Sequence, residues 1–411
     1  MRNGKLSIVL PSAQAILAVI LLVTVTRAAG QQETILHSFG NNGKDGTGPT
    51  ATLVFDTAGN LYGTTTSGGA NQLGTVFELS PKAGGGWTEN VLHTFPVSLK
   101  DGDTPAAPVI FDSSGNLYGT TSGGGAYDAG TVFELTHSAR GWRETVLHDF
   151  NPNIKDGSVP YAGLLFDAAG NLYGATSSGG AYGQGTVFEL SHKSPGVWKE
   201  TLLHSFGNGT DGFGPTGLIF DTAGNLYGTT WSGGAYGAGT VFQMTPTAGG
   251  GWMESVLYSF LNNGVDGYGP NAGVIFDAVG NLYGTTFYGG TDGIGTVFEL
   301  SPAAGGWTEH LLYTFINNHT DGVYPTSGVI FDQSGNLCGA TEFGGSKGSG
   351  NVFELTPTGG GAWAETILHA FVSSKDGVYP NGLVLDSSGN LYGTTTFGGA
   401  YGYGTVFKIT P

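Results

Sequence analysis

The acidic residues of this chain recur at fixed spacing, so their chemistry depends on what surrounds each copy. A DGxxP string begins at Asp45, Asp101, Asp156, Asp211, Asp266, Asp321 and Asp376, and a DxxGN string at Asp56, Asp112, Asp167, Asp221, Asp277, Asp332 and Asp386. A calcium ion takes about six to eight oxygen ligands. One aspartate beside Gly and Pro offers too few, and the chain has no DxDxDG loop. Both sets are therefore expected to cap turns by accepting backbone N–H bonds, with Gly supplying positive φ. No metal and no cofactor is expected.

Histidine leads to the same expectation. His37, His93, His148, His204 and His369 share one repeat position, which Tyr258 and Tyr313 fill in two copies. Alternation of His with Tyr points to shape and hydrogen bonding, and equivalent positions of different units lie too far apart to share an ion. The Glu of the TVFEL string becomes Gln243 and Lys408, so that position is no general acid. Cys338, the single cysteine, stands where the other copies have Tyr and reads as core filler. Nucleophile elbows, HExxH helices and phosphate loops are absent.

Asymmetry concentrates in the sixth copy, where Cys338, Glu342, Phe343, Lys347 and Asn351 break the pattern. Glu342 is the one candidate catalytic acid. Aromatic residues are the candidate ligand contacts: Tyr127, Tyr182, Trp231, Tyr236, Tyr288, Phe343 and Tyr401, with Phe213, Tyr268, Phe287, Tyr324, Tyr379 and Phe397 on the same set of loops. Rings beside carboxylates and amides suit carbohydrate, whose C–H groups pack on them while its hydroxyls find polar partners.

Positioning these residues falls to a repeat of about 55 residues, present seven times in the same phase. Residues 163–166, 171–174, 186–190 and 198–206 read as four short strands joined by Gly-containing turns, an antiparallel meander. Both faces carry apolar residues and no segment has a helical period, so neighbouring sheets must cover one another. Radial packing of four-stranded sheets does so, whereas a linear solenoid repeats over shorter coils. Residues 33–39 copy the fourth strand, and the chain stops after a seventh third strand at 405–409. The expected fold is all-β, a seven-bladed β-propeller whose N-terminal strand closes the last blade.

The strings GNLYGTT at 59–65 and GTVFEL at 74–79, with the Gly-Gly loop between them, resemble the bacterial GloVer tandem repeat over residues 33–411. That resemblance implies an exported or surface protein and lends no chemistry. Residues 1–30, with Arg2 and Lys5 before an apolar run and Arg27-Ala28-Ala29-Gly30 after it, read as a secretory signal peptide, a retained anchor being the alternative. Without them the chain has 11 basic and 31 acidic residues, a net charge of −20 that disfavours nucleic acid.

Residues 31–411 are thus expected to form one monomeric, secreted or surface-bound domain, with no membrane span after cleavage. Its expected role is binding or structural, with a glycan or a surface protein as partner. A polysaccharide-acting hydrolase or lyase is one alternative, a protein-interaction ring another. Without a catalytic constellation, the sequence weighs against an enzyme.

Overall fold

In the computed structural model, which describes residues 31–411 except Leu99, Pro195 and Ser373, the repeats become seven antiparallel sheets, six of four strands and that of the sixth blade of five because its inner strand is split. The expected signal peptide lies outside the described residues. In the first blade Val54–Phe55, Leu61–Thr65, Thr75–Pro81 and Trp87–Thr94 follow one another from the centre outward. The second of these is wholly buried, and the outermost alternates between exposed and half-buried at its start. The DxxGN turn forms as expected: Asp56 Oδ1 accepts the N–H groups of Ala58 and Asn60, and Oδ2 accepts the Asn60 amide at 2.7 Å. Gly59, at φ 84°, supplies the left-handed residue. No helix among the described residues is long and apolar enough to cross a membrane.

Adjacent blades share their cores. Each of seven apolar clusters draws residues from two neighbouring sheets; the one joining blades 7 and 1 combines Tyr392 and Val406 with Leu61, Phe77 and Leu79. At every junction a Phe that follows the outer strand meets a Phe on the next blade's third strand, as in Phe39–Phe77 at 5.1 Å and Phe206–Phe242 at 5.0 Å. Such edge-to-face pairs are worth about 0.5–1.5 kcal/mol beyond the area they bury. The second-strand glycine makes room for them. A Cβ on Gly63 would lie 2.7 Å from the Phe77 ring and 2.9 Å from Leu53.

Ring closure follows the expected route. Gln32–Ser38 pairs antiparallel with Thr405–Thr410, from Gln32 opposite Thr410 to Ser38 opposite Thr405, with a bulge between Ile35 and His37 that shifts the register by one. On the inner side Asn381 Nδ2 donates to the Pro49 carbonyl at 3.0 Å, tying blade 7 to blade 1 a second time.

The innermost strand departs from a simple extended run. In blade 1 Gly46–Thr47 pairs with Ser67–Gly68 apart from the Val54–Phe55 pairing. The break falls at Gly48, φ 64°, whose N–H turns away and donates to Tyr403 of the preceding blade. The same interblade bond occurs at Thr104, Val159, Gly214, Gly269, Tyr324 and Tyr379. Four of those residues are not glycine yet hold φ between 55° and 63°. Left-handed backbone at a side-chain-bearing residue is strained and persists only when its surroundings hold it.

Candidate functional site

The DGxxP and Gly-Gly loops share one face, where they frame the central mouth. A cavity of about 760 Å³ opens there, lined by Thr50, Thr66, Thr104, Ser177, Gln184, Asn271 and Thr326 together with Tyr161, Phe213 and Trp231. Its polar groups are hydroxyls and amides. The residue after each second strand's buried core is repeat-equivalent in the seven blades, Thr66, Ser122, Ser177, Trp231, Phe287, Glu342 and Thr396, and of these Thr66, Ser177 and Trp231 line the cavity. Blades 1 to 3 place small polar side chains there, and blade 6 alone an acid. Glu342 is half-buried, and that burial raises its carboxyl above the usual range.

Blades 4 to 7 carry a continuous train of rings. Trp231 meets Phe287 at 5.8 Å and Tyr288 at 6.1 Å, and Tyr288 stacks on Tyr268 at 5.2 Å. Phe287 stacks on Tyr324 at 4.7 Å, with 5° between the planes. The train continues from Tyr324 to Phe343, then Tyr379, then Phe397. Tyr324 and Tyr379 are the two aromatic residues at the left-handed position of the inner strand. Of the expected ligand contacts, Trp231, Tyr288 and Phe343 therefore belong to one arc. Tyr127, Tyr182, Tyr236 and Tyr401 instead lie exposed on the Gly-Gly loops and join no ring contact of that arc. The sixth blade's other irregularities are internal: Asn351 is fully buried, and Cys338 fills the Tyr position with its thiol pushed up to about 12 by burial and nearby acids.

A second set of titratable groups lies at the outer ends of the blade junctions. Among the described residues, six of the seven DGxxP aspartates, all but Asp101, accept a backbone N–H from their own loop, for example Asp156 Oδ2 from Asn151 at 2.9 Å and Asp45 Oδ2 from Gly40 at 2.8 Å. The same carboxylates also receive the fourth-strand His or Tyr: His148 at 3.0 Å, His204 at 3.1 Å, Tyr258 at 2.9 Å and Tyr313 at 3.0 Å. The outer strand of the following blade adds a glutamate. Thus Glu33 joins His369 and Asp376, Glu89 joins His37 and Asp45, and Glu200 joins His148 and Asp156. Burial first and the facing aspartate second push Glu89 and Glu200 up to about 8. The same causes raise Glu254 and Glu309 to about 7.

These groups correct the expectation against an enzyme. That reading compared only equivalent histidines of different blades. The fold instead brings a His, the Asp of its own following loop and a Glu of the next blade into one half-buried cluster, a constellation able to bind a metal or move a proton. A signal was present: in a chain with few charges, Glu stands four residues before the His or Tyr in all seven copies, from Glu33–His37 to Glu365–His369. The Glu of TVFEL stays structural, as Tyr118 donating to Glu134 at 2.8 Å shows.

A family described as the Gloeobacter/Verrucomicrobia repeat matches residues 21–151, 85–275 and 214–411. No curated protein matches the chain. Among solved structures, the extracellular domain of a protein described as a hybrid two-component system from B. thetaiotaomicron is 12% identical with a TM-score of 0.58. The match covers 92% of this chain and 39% of that one, so the chain spans about two fifths of its length. A second structure, described as the extracellular domain of a one-component system from the same organism, gives 11% identity, a TM-score of 0.56 and coverage of 92% and 40%. A gluconolactonase of Xanthomonas campestris is 14% identical at a TM-score of 0.41, over 69% of this chain and 82% of that one, too distant to transfer its chemistry.

Proposed function

We propose that this chain, which belongs to the Gloeobacter/Verrucomicrobia repeat family, is an extracytoplasmic, glycan-acting propeller. In this reading it binds an uncharged polysaccharide along the aromatic arc and presents Glu342 as a proton donor. The arc is the observation that carries it. Eight rings from four consecutive blades run around one side of a mouth whose other groups are hydroxyls and amides, the combination that sugar faces and sugar hydroxyls require. Tyr324 and Tyr379 hold strained backbone to stand in that arc, where other blades use Gly48, Gly214 and Gly269.

The net charge of −20 for residues 31–411 favours a neutral glycan over an acidic one. Burial raises the Glu342 carboxyl above the usual range, the direction a general acid at a glycosidic oxygen needs. Export is supported by the composition of residues 1–30 and their small-residue cleavage signal.

The experiment is a panel of neutral and acidic polysaccharides, assayed for binding and for released reducing ends. Expected are saturable binding to a neutral polymer, its loss in Trp231→Ala, and retained binding without release in Glu342→Gln. Binding with no release from any polymer would remove the catalytic part of the proposal. Binding unaffected by Trp231→Ala and Tyr379→Ala would move the site away from the arc.

A further inference from the structure

The N-terminal strand Gln32–Ser38 carries Glu33 near its start and His37 near its end. Glu33 meets His369 and Asp376 where blade 7 adjoins blade 6, and His37 meets Asp45 and Glu89 where blade 7 adjoins blade 1. In each group one ligand atom from every residue lies within 4.8 Å of the others. His148, Asp156 and Glu200 form a third such group, between blades 2 and 3.

Several of these atoms are poorly served by the protein itself, most of all in the His37 group, whereas His148 Nε2 and His369 Nε2 already bond their aspartates. His37 Nε2, Asp45 Oδ1 and Glu89 Oε1 are buried without a hydrogen-bond partner, as are Glu33 Oε1 and Glu200 Oε1. Asp45 is only 7% exposed, and His37 Nε2 stands 3.4 Å from its Oδ2 outside hydrogen-bond geometry. A surface cavity lined by His37, Asn42, Asp45, Glu89 and Tyr401 gives an ion a way in.

We infer that the three His/Asp/Glu groups are sites for a divalent metal of the zinc class, and that the two flanking the N-terminal strand pin it to both neighbouring blades. One imidazole nitrogen and two carboxylate oxygens form a donor set for Zn²⁺ or Co²⁺, with the remaining position open to water. Calcium, which takes about six to eight oxygens, is a poor match. Two carboxylates offset the dication, and the metal would serve the lone pairs that no donor reaches. Where Tyr258 and Tyr313 replace the histidine the nitrogen ligand is missing, and among the described residues the equivalent groups at His93 and His204 do not bring three ligand atoms within 4.8 Å, so those four junctions do not bind.

The test uses the chelator-treated, dialysed protein titrated with Zn²⁺ and with Co²⁺. Expected are three equivalents bound and visible-region Co²⁺ absorption. Tm should rise by about 10 °C with all three sites filled at zinc 100-fold above its dissociation constant. Amide exchange should slow across residues 32–38. His37→Gln is expected to lose one equivalent and part of that protection. His148→Gln should lose one equivalent while residues 32–38 stay protected. If His37→Gln does not fold, Glu33→Gln makes the same test at the other junction. Unchanged stoichiometry in these variants, unchanged exchange at residues 32–38 on zinc addition, or an equal response to Ca²⁺ would each overturn the inference. Glycan binding at the mouth is a separate readout, so either proposal can fail without the other.

Discussion

The perimeter and the mouth of this ring obey opposite rules. At the perimeter every junction repeats the same design: a Phe pair in the core, then a His or Tyr, an Asp and a Glu reaching across from consecutive blades. At the mouth the repeat is broken, with Thr or Ser after the second strands of blades 1 to 3 and 7, and Trp231, Phe287 and Glu342 after those of blades 4 to 6. The backbone is common to both, so the difference lies in side chains alone. Identical junctions close a ring because each blade must cover its neighbour equally. A site for one extended ligand instead needs one side of the mouth to differ from the other.

The largest expected effect tests the perimeter. Deleting residues 31–39 removes the outer strand of blade 7 and Phe39 with it, and should leave an unfolded or aggregating protein, measured by circular dichroism and light scattering. Phe206→Ala, at one junction, should cost about 3–5 kcal/mol in chemical denaturation and leave glycan affinity nearly unchanged in the folded fraction. Trp231→Ala should show the reverse, with affinity falling about 10-fold and stability changing by less than about 1 kcal/mol. If both variants lose stability equally, the mouth is as structural as the perimeter and the contrast fails.

Acidity sharpens the comparison further. Glu254 faces Asp211 and His204, Glu309 faces Asp266 and Tyr258, and Glu365 faces Asp321 and Tyr313; the folded carboxyls sit at about 7, 7 and 8. Folding therefore favours their protonated forms. The stability they add is complete below the unfolded carboxylate pKa and is lost as pH rises through about 7–8. Asp156 and Asp376, held low by His148 and His369 despite burial, act in the opposite sense and lose their contribution in acid. Tm should thus pass through a maximum near about pH 5 and fall by about 5 °C or more by about pH 9. A flat profile would show that the junction carboxyls are better solvated than their burial implies. The smallest effect belongs to Tyr379→Gly, which relieves left-handed strain while removing one ring. Stability should stay within about 1 kcal/mol of the parent, with glycan affinity reduced.

Sequence periodicity made the blades, the turns at Asp56 and its equivalents, and the displaced closing strand legible, since each depends on residues near one another or on a count of strands. The kink in the inner strand was not legible. Glycine marks it in only three blades, and nothing local announces that Thr104, Val159, Tyr324 and Tyr379 adopt the same backbone. Trp231, Tyr288 and Phe343 could be picked out as exposed aromatics, but their union with Tyr324 and Tyr379 depends on that kink. The junction clusters stayed hidden for another reason. Their members lie some fifty residues apart, or at opposite ends of the domain for Glu33 and Asp376, and meet only because a following blade is placed beside its predecessor.

The displaced strand makes the ring's starting point a matter of sequence rather than of geometry. Gln32 finds its partner at Thr410, so the last sheet forms only when the two ends of the domain meet. Every other blade joins its third and fourth strands through a short surface hairpin, such as residues 82–86 in the first. Joining Pro411 to Gln31 and opening one of those hairpins would move the seam to another blade without altering any sheet. The six circular permutants and the parent should therefore share one native structure. They should differ in folding rate and in which outer strand exchanges first, because only the seam has its two strands held together without a covalent turn.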